Sequence, residues 1–199
     1  MAINLSKGGR FNLQKENPGL EIIGVGLGWD PNDQPAGPAF DLDASAFMLG
    51  SNYKIPADGY FVFYGNQLSS DGAVQSSGDD QTGGSSDGDD ETLFVDLTKV
   101  NQGIEQILFT VTICKYPNDA QKDRRTLNLN FGQVDNCYIR IYDQKSGVEL
   151  SRYNLNESFT NEDAVEFGRL YRNGNSWSLK RWVEEQQGAS THMLKHILN

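Results

Sequence analysis

The sequence contains little cysteine or histidine, the residues that most often carry redox, nucleophilic or zinc chemistry. Two cysteines, Cys114 and Cys137, and two histidines, His192 and His196, occur in 199 residues. Both cysteines lie in apolar stretches, and the N-terminal residues lack the apolar core of a signal peptide. We therefore expect two reduced, buried thiols and a cytoplasmic location.

Long apolar runs and an excess of positive charge are also missing. No stretch approaches the roughly 20 apolar residues of a transmembrane helix, so no transmembrane segment is predicted. The formal net charge of −10 at pH 7 disfavours direct binding to nucleic acid or to an anionic membrane surface. At 199 residues the chain is predicted to form a single domain, residues 1–199.

The negative charge is concentrated in one segment. No lysine or arginine occurs between Lys54 and Lys99, whereas nine acidic residues do; the rest of the chain has 18 acids and 17 bases. Such crowding is tolerated where a segment is disordered or where a hard cation neutralises it. Here glycines interrupt the acids and apolar runs at 60–64 and 93–95 flank them, which is typical of an ordered loop between strands. We interpret the segment as calcium-binding.

The remaining pattern predicts an all-β protein. Most segments alternate with a period of two, and Gly, Asn and Asp separate them at short intervals. No long pattern with a helical period precedes residue 185, which disfavours parallel βαβ units. We expect an antiparallel β-sandwich with long acidic loops and one short C-terminal helix. The expected strands cover residues 20–29, 40–49, 60–64, 93–95, 107–113, 137–142, 148–153 and 165–171.

The acidic residues lie at the predicted strand ends, where the loops of a sandwich gather. Asp30 ends the first long strand, and Asp41 and Asp43 begin the next. Residues i and i+2 of an extended segment point the same way, so both of these carboxylates should face one side while Leu42 enters the core. Calcium takes six to eight oxygen ligands, and converging loops could supply them.

Other metal sites fit the residues less well. An EF-hand beginning at Asp87 would place Thr92 where glycine is required and Thr98 where the bidentate Glu belongs. Magnesium prefers few protein ligands, and zinc prefers thiolate and imidazole, which the acidic segment lacks. His192 and His196 have i, i+4 spacing, but no third ligand lies near them in the sequence.

Three alternating glycines at 24, 26 and 28 imitate a dinucleotide-binding loop. In that motif a helix must follow, and a third glycine is needed where Trp29 stands. No helix is predicted there, so we reject a nucleotide site and assign the glycines to a strand.

Several short motifs occur in a fixed order along the chain. They are GLGWD at 26–30, FDLDASAF at 40–47, FYGN at 63–66, SDGAV at 70–74, GDDQTG at 78–83, DGDDE at 87–91, VTI at 111–113 and FGRLYR at 167–172. Together they resemble the TerD domain family of tellurium-resistance and stress proteins. The resemblance covers residues 1–177, and residues 178–199 diverge from the family pattern.

The resemblance implies a calcium-binding β-sandwich without known catalytic activity of its own. Members of the family are associated with resistance to tellurite, some phages and pore-forming colicins. Nine carboxylates exceed what one ion needs, so we expect two calcium ions. The residues that fall on the acidic motif positions of the family are Asp30, Asp41, Asp43, Asp71, Asp79, Asp80, Asp89, Asp90 and Glu91.

Three functions are compatible with these features. The first, which we favour, is a calcium-dependent stress-response module whose ordered face docks a protein partner, for example in a membrane-associated resistance complex. The second is a calcium-gated membrane-surface module, which would need a basic or apolar rim on its loops. The third is a metal-dependent hydrolase, but no histidine lies near the acidic loops to act as a general base. We therefore expect no enzyme activity.

Overall fold

The strands of the protein form two antiparallel sheets. The computed structural model describes residues 10–32, 39–85, 88–114 and 129–181. The strands in these ranges are β1 (Arg10–Asn12), β2 (Ile22–Gly28), β3 (Leu42–Leu49), β4 (Phe61–Val62), β5 (Val74–Ser76), β6 (Glu91–Asp96), β7 (Gln106–Ile113), β8 (Tyr138–Asp143), β9 (Glu149–Asn154), β10 (Ala164–Asn173) and β11 (Ser176–Arg181). Two one-turn helices, α1 (Leu13–Glu16) and α2 (Leu155–Ser158), and two 3-10 turns, Asp58–Tyr60 and Phe131–Gln133, connect them.

The sheets pack as a sandwich. The six-stranded sheet has the order β1-β11-β10-β7-β3-β4, and the five-stranded sheet has the order β5-β6-β2-β8-β9. Every neighbouring pair is antiparallel. The predicted antiparallel β-sandwich is therefore confirmed, while the predicted C-terminal helix lies outside the described residues.

The period-two pattern explains how β3 is buried on both faces. Leu42, Ala44, Ala46 and Met48 enter the main core between the sheets. On the opposite face, Phe47 and Leu49 pack with Leu108 in a second, smaller apolar cluster. Strands buried on two sides need few polar positions, which makes the acidic residues at the start of β3 unusual.

Strand β4 is shorter than the sequence predicts. The expected strand covered 60–64, whereas the structure pairs only Phe61 and Val62 with β3. Phe63 and Asn66 exchange backbone hydrogen bonds, so the chain turns at once. Residues 42–45 of β3 consequently have no strand neighbour on that side among the described residues.

One end of the sandwich collects the acidic segments. In the register of the five-stranded sheet, Leu27 near the end of β2 lies opposite Glu91 at the start of β6, and Gly28 lies opposite Tyr138 at the start of β8. The start of β3 lies at the same end, since Glu91 contacts Ala44 there. The predicted convergence of strand ends is thus present for these elements.

The described residues include both cysteines of the chain. Among those residues, no helix is both long and apolar enough to span a membrane. Cys137 is buried, Cys114 is partly buried, and neither forms a disulfide. Burial raises the pKa of the Cys137 thiol, and the charge of Asp90 raises it further.

Candidate metal centre

Three carboxylates meet at the acidic end of the sandwich. One oxygen from each of Asp41, Asp43 and Asp79 lies within 4.8 Å of the other two. Calcium holds oxygen ligands at about 2.3–2.6 Å, so two ligands of one ion can be up to about 5 Å apart. A single calcium ion could therefore contact all three side chains, and we call Asp41, Asp43 and Asp79 the carboxylate cluster.

Strand and loop geometry bring these three residues together. Asp43 lies on β3 opposite Thr112, and the carbonyl of Asp41 accepts a hydrogen bond from the Cys114 amide at 2.7 Å. Asp79 comes from the loop after β5, where the preceding Gly78 has a φ of 121°. That left-handed backbone favours glycine, and it lets the loop turn towards the start of β3. Asp41 and Asp43 are 6% and 8% exposed, whereas Asp79 is exposed.

Glu91 links the two sheets beside the carboxylate cluster. Its side chain is 4% exposed. Oε2 accepts a hydrogen bond from the Ala44 amide at 2.8 Å, and Oε1 accepts one from the Asp80 amide at 3.3 Å. The Ala44 amide is available because β4 ends before reaching it. Glu91 therefore joins β6, β3 and the loop that carries Asp79.

The electrostatics of this end disfavour several bare carboxylates at once. Burial, together with the charges of Asp41 and Asp79, raises the pKa of Asp43 from 3.8 to about 7. Burial also raises the pKa of Glu91 from 4.5 to about 8; the Asp43 and Asp79 charges add to this, and hydrogen bonds from Ala44 and Asp80 oppose it. A bound cation would favour the ionised forms and reverse both shifts.

Asp30 and Asp90 lie together at a neighbouring position. They line a cavity of about 240 Å³ with Tyr138 and Arg152 among its other walls. Asp90 Oδ2 accepts a hydrogen bond from the Trp29 amide at 2.7 Å. Burial raises the pKa of Asp90, although hydrogen bonds from the Ser85 and Trp29 amides oppose the increase.

Two other predicted ligands accept hydrogen bonds that hold loops in place. Asp80 Oδ1 accepts hydrogen bonds from the amides of Thr82 and Gly83, both at 2.9 Å. Asp71 Oδ1 accepts from the Ser69 hydroxyl at 2.6 Å, and its Oδ2 accepts from the Asn101 amide at 2.8 Å. The structure thus does not bring Asp71 or Asp80 into the carboxylate cluster.

Asp89 is engaged by a cation that the sequence analysis did not single out. Its carboxylate forms a two-pronged ion pair with Arg140, with Nε 2.8 Å from Oδ1 and Nη2 2.9 Å from Oδ2. The two residues are 51 positions apart, and no local motif connects them. The only sequence signal is the period of two in β8, which puts Tyr138, Arg140 and Tyr142 on one face.

Comparisons with known proteins agree with this architecture. The family model described as "TerD domain" matches residues 1–196. The chain is 43% identical over 180 residues to the "Tellurium resistance protein TerD" of Serratia marcescens, covering 90% of this chain and 88% of that protein. It is 39% identical over 188 residues to "General stress protein 16U" of Bacillus subtilis, covering 94% and 93%.

A solved structure shows the same fold. The crystal structure of a homologue of the telluride resistance protein TerD from Streptomyces coelicolor A3(2) superposes with a TM-score of 0.66 at 22% identity, covering 83% of this chain and 90% of that one. At this identity the likeness concerns the fold alone. The match of the family model over residues 1–196, together with these relatives, shows that the chain belongs to the TerD domain family.

Proposed function

We propose that this protein is a calcium-binding module of the tellurium-resistance and stress-response type. The observation that carries the proposal is the carboxylate cluster, in which oxygens of Asp41, Asp43 and Asp79 approach within 4.8 Å of one another. All candidate ligand atoms are carboxylate oxygens, which calcium prefers, whereas structural zinc sites are built from thiolate and imidazole. The names of its relatives, tellurium resistance protein and general stress protein, support the biological setting.

The first ion would be held by the carboxylate cluster with Glu91 beside it. Glu91 already binds the Ala44 amide through Oε2 at 2.8 Å, so its role would be to hold β3 against β6 while its charge favours the cation. Bound calcium would supply the positive charge that this group of acids lacks. Its binding would release the protons that Asp43 and Glu91 retain near neutral pH.

A second ion would occupy the neighbouring position of Asp30 and Asp90. These two carboxylates line one cavity of about 240 Å³, and nearby backbone carbonyls and amide side chains could complete an oxygen shell. The proposal of two ions rests on this second carboxylate pair in addition to the cluster. Asp71 and Asp80, which lie outside the carboxylate cluster, would shape the loops in this arrangement.

We also propose that the calcium-bound end docks a protein partner. Tyr64 is 48% exposed and lies close enough to the cluster for the charges of Asp43 and Asp79 to raise its pKa, after burial as the larger cause. Behind it, Phe63 and Phe61 stack at 4.5 Å between ring centroids. Exposed aromatic residues backed by a rigid apolar layer are typical of protein interfaces.

Calcium should stabilise the folded protein because it binds the assembled site and not the unfolded chain. At a free concentration tenfold above Kd the increment is RT ln 11, about 1.4 kcal/mol for each site. Thermal melts of metal-free protein with calcium and with a chelator should therefore separate by several degrees. Magnesium at the same concentration serves as the control and should shift the melt less. Coincident melts in calcium and chelator would refute the proposed site.

A further inference from the structure

Arg140 holds Asp89 against the outer face of the five-stranded sheet. Arg140 Nε lies 2.8 Å and 3.1 Å from the two carboxylate oxygens, and Nη2 lies 2.9 Å from Oδ2. The Asp89 side chain is only 6% exposed in this pair. The Tyr138 hydroxyl lies 3.0 Å from Asp89 Oδ1 and 2.9 Å from the Gly88 carbonyl oxygen, and it can donate to either. Planar, two-pronged pairing of this kind fixes position as well as charge.

The sheet is shaped to receive this carboxylate. A Cβ added to Gly26 would overlap the Asp89 carboxyl group. Tyr138 and Tyr142 lie on the same face as Arg140, and the Arg140 guanidinium carbon is 4.7 Å from the centre of the Tyr142 ring. We call Gly26, Tyr138, Arg140 and Tyr142 the Asp89 seat.

The flanking glycines explain how the two rings lie so close to β2. A Cβ at Gly24 would overlap the Tyr142 ring, and one at Gly28 would overlap the Tyr138 ring. At each of the three alternating glycines of β2, another side chain thus fills the space that a Cβ would take. The pattern that imitated a nucleotide loop in the sequence serves instead to seat Asp89.

Seating Asp89 also places the residues that follow it. The Asp90 amide donates to the Leu27 carbonyl at 2.8 Å, and Glu91, one residue on, begins β6 and accepts from the Ala44 amide. Consecutive Cα atoms are 3.8 Å apart, so a fixed Asp89 leaves Glu91 little freedom. The Asp89 seat therefore constrains Glu91, which follows Asp89 by two residues and lies beside the carboxylate cluster.

From this geometry, and given the calcium site proposed above, we propose that Arg140 is a positioning residue for that site. It touches no ligand of the carboxylate cluster itself. By holding Asp89 it fixes the entry to β6, so that Glu91 and the Asp79 loop are in place before the ion arrives. A loop that is already ordered in the metal-free protein raises calcium affinity, because calcium binding then does not bear the entropic cost of ordering it.

The sign of the effect separates this role from a general effect of charge. If Arg140 acted only as a nearby cation, its removal would strengthen calcium binding by relieving repulsion. If Arg140 positions the loop, Arg140→Gln should weaken binding by roughly tenfold, the scale seen when partners of metal ligands are removed. Arg140→Lys keeps the charge without the two-pronged geometry and should recover part of the affinity.

Calorimetric titration of the full chain with calcium chloride is the test, with Arg10→Gln as the matched control. Arg10 lies on the edge strand β1, exposed and 4.8 Å over the Tyr171 ring, so its loss removes the same charge and a similar ring contact elsewhere. The control should keep wild-type affinity. Wild-type or tighter binding by Arg140→Gln would overturn the proposal.

Hydrogen exchange in chelator gives a readout that does not depend on calcium. The Asp90 amide, bonded to Leu27, should be protected in the wild type and in Arg10→Gln, and should exchange roughly tenfold faster in Arg140→Gln. An equal exchange rate of the Asp90 amide in all three proteins would also overturn the proposed role of Arg140. If the wild type bound no calcium, the proposed function would fail, while the exchange result would still decide whether Arg140 orders the loop.

Discussion

Asp43→Asn should lower calcium affinity by roughly a hundredfold, because the charge of the ligands sets calcium affinity over orders of magnitude. The same substitution should make the calcium-free protein more stable. Asp43 is 8% exposed, and this burial, together with the charges of Asp41 and Asp79, raises its pKa to about 7. At pH 8 the Asp43 carboxylate is mostly ionised in the folded protein, and holding the charge there costs free energy. The neutral amide of the variant avoids this cost. We expect a gain of ~2 kcal/mol in the free energy of unfolding without calcium.

Two variants make the comparison specific. Glu21→Gln removes an exposed acid at the opposite end of β2 from the Leu27–Glu91 pair, and it should change neither quantity. Asp71→Asn weakens a carboxylate that accepts from the Asn101 amide at 2.8 Å; it should lower stability by about 1 kcal/mol and keep calcium affinity. Titration calorimetry measures the calcium affinity of each variant, and urea unfolding in chelator measures its free energy of unfolding. A calcium affinity unchanged in Asp43→Asn but reduced in Asp71→Asn would contradict the carboxylate cluster.

The metal-free protein should lose stability as the pH rises from 5.5 to 8.5. Asp43 and Glu91 have folded pKa values of about 7 and about 8, above the ordinary 3.8 and 4.5. Between these limits the folded state binds more protons than the unfolded chain, so the contribution is full below pH 4 and disappears as the pH passes the folded pKa values. Together, the two shifts correspond to a loss of roughly 5 kcal/mol over this range, about 2 from Asp43 and about 3 from Glu91.

Calcium should reverse this dependence because it binds the ionised carboxylates. The stabilisation by calcium should therefore grow with pH, and calcium binding near pH 7 should release protons that calorimetry in buffers of different ionisation enthalpy can count. The double variant Asp43→Asn, Glu91→Gln should show a nearly flat profile between pH 5.5 and 8.5 without metal. A wild-type profile as flat as that of the double variant would show that these carboxyls titrate normally.

Alternation along the chain was sufficient to predict the sandwich and the proximity of Asp41 and Asp43. In Asp41-Leu42-Asp43 the period of two puts both acids on one side and Leu42 in the core, and the structure has Leu42 fully buried with the two acids within 4.8 Å. Such local geometry is readable because the side chains of a strand must alternate. Strands of three residues, such as β1 and β5, are too short to show the pattern.

The remaining acids could not be sorted from the sequence because their partners are distant. Asp89 and Arg140 are 51 positions apart, and Asp71 and Asn101 are 30 apart. The high density of acidic residues indicated a cation site. It gave no reason to separate the acids that face a shared point from those that hold a turn or pair with an arginine. That distinction depends on sheet register, which pairs β2 with both β6 and β8.

The most direct test of the account is calorimetric titration of metal-free wild-type protein with calcium at pH 7.5. We expect saturable binding at two sites, with magnesium competing poorly, and loss of the site at the carboxylate cluster in Asp43→Asn. Binding confined to one ion that survives Asp43→Asn would contradict the assignment of Asp41, Asp43 and Asp79 as ligands. No binding at millimolar calcium would contradict the calcium function itself.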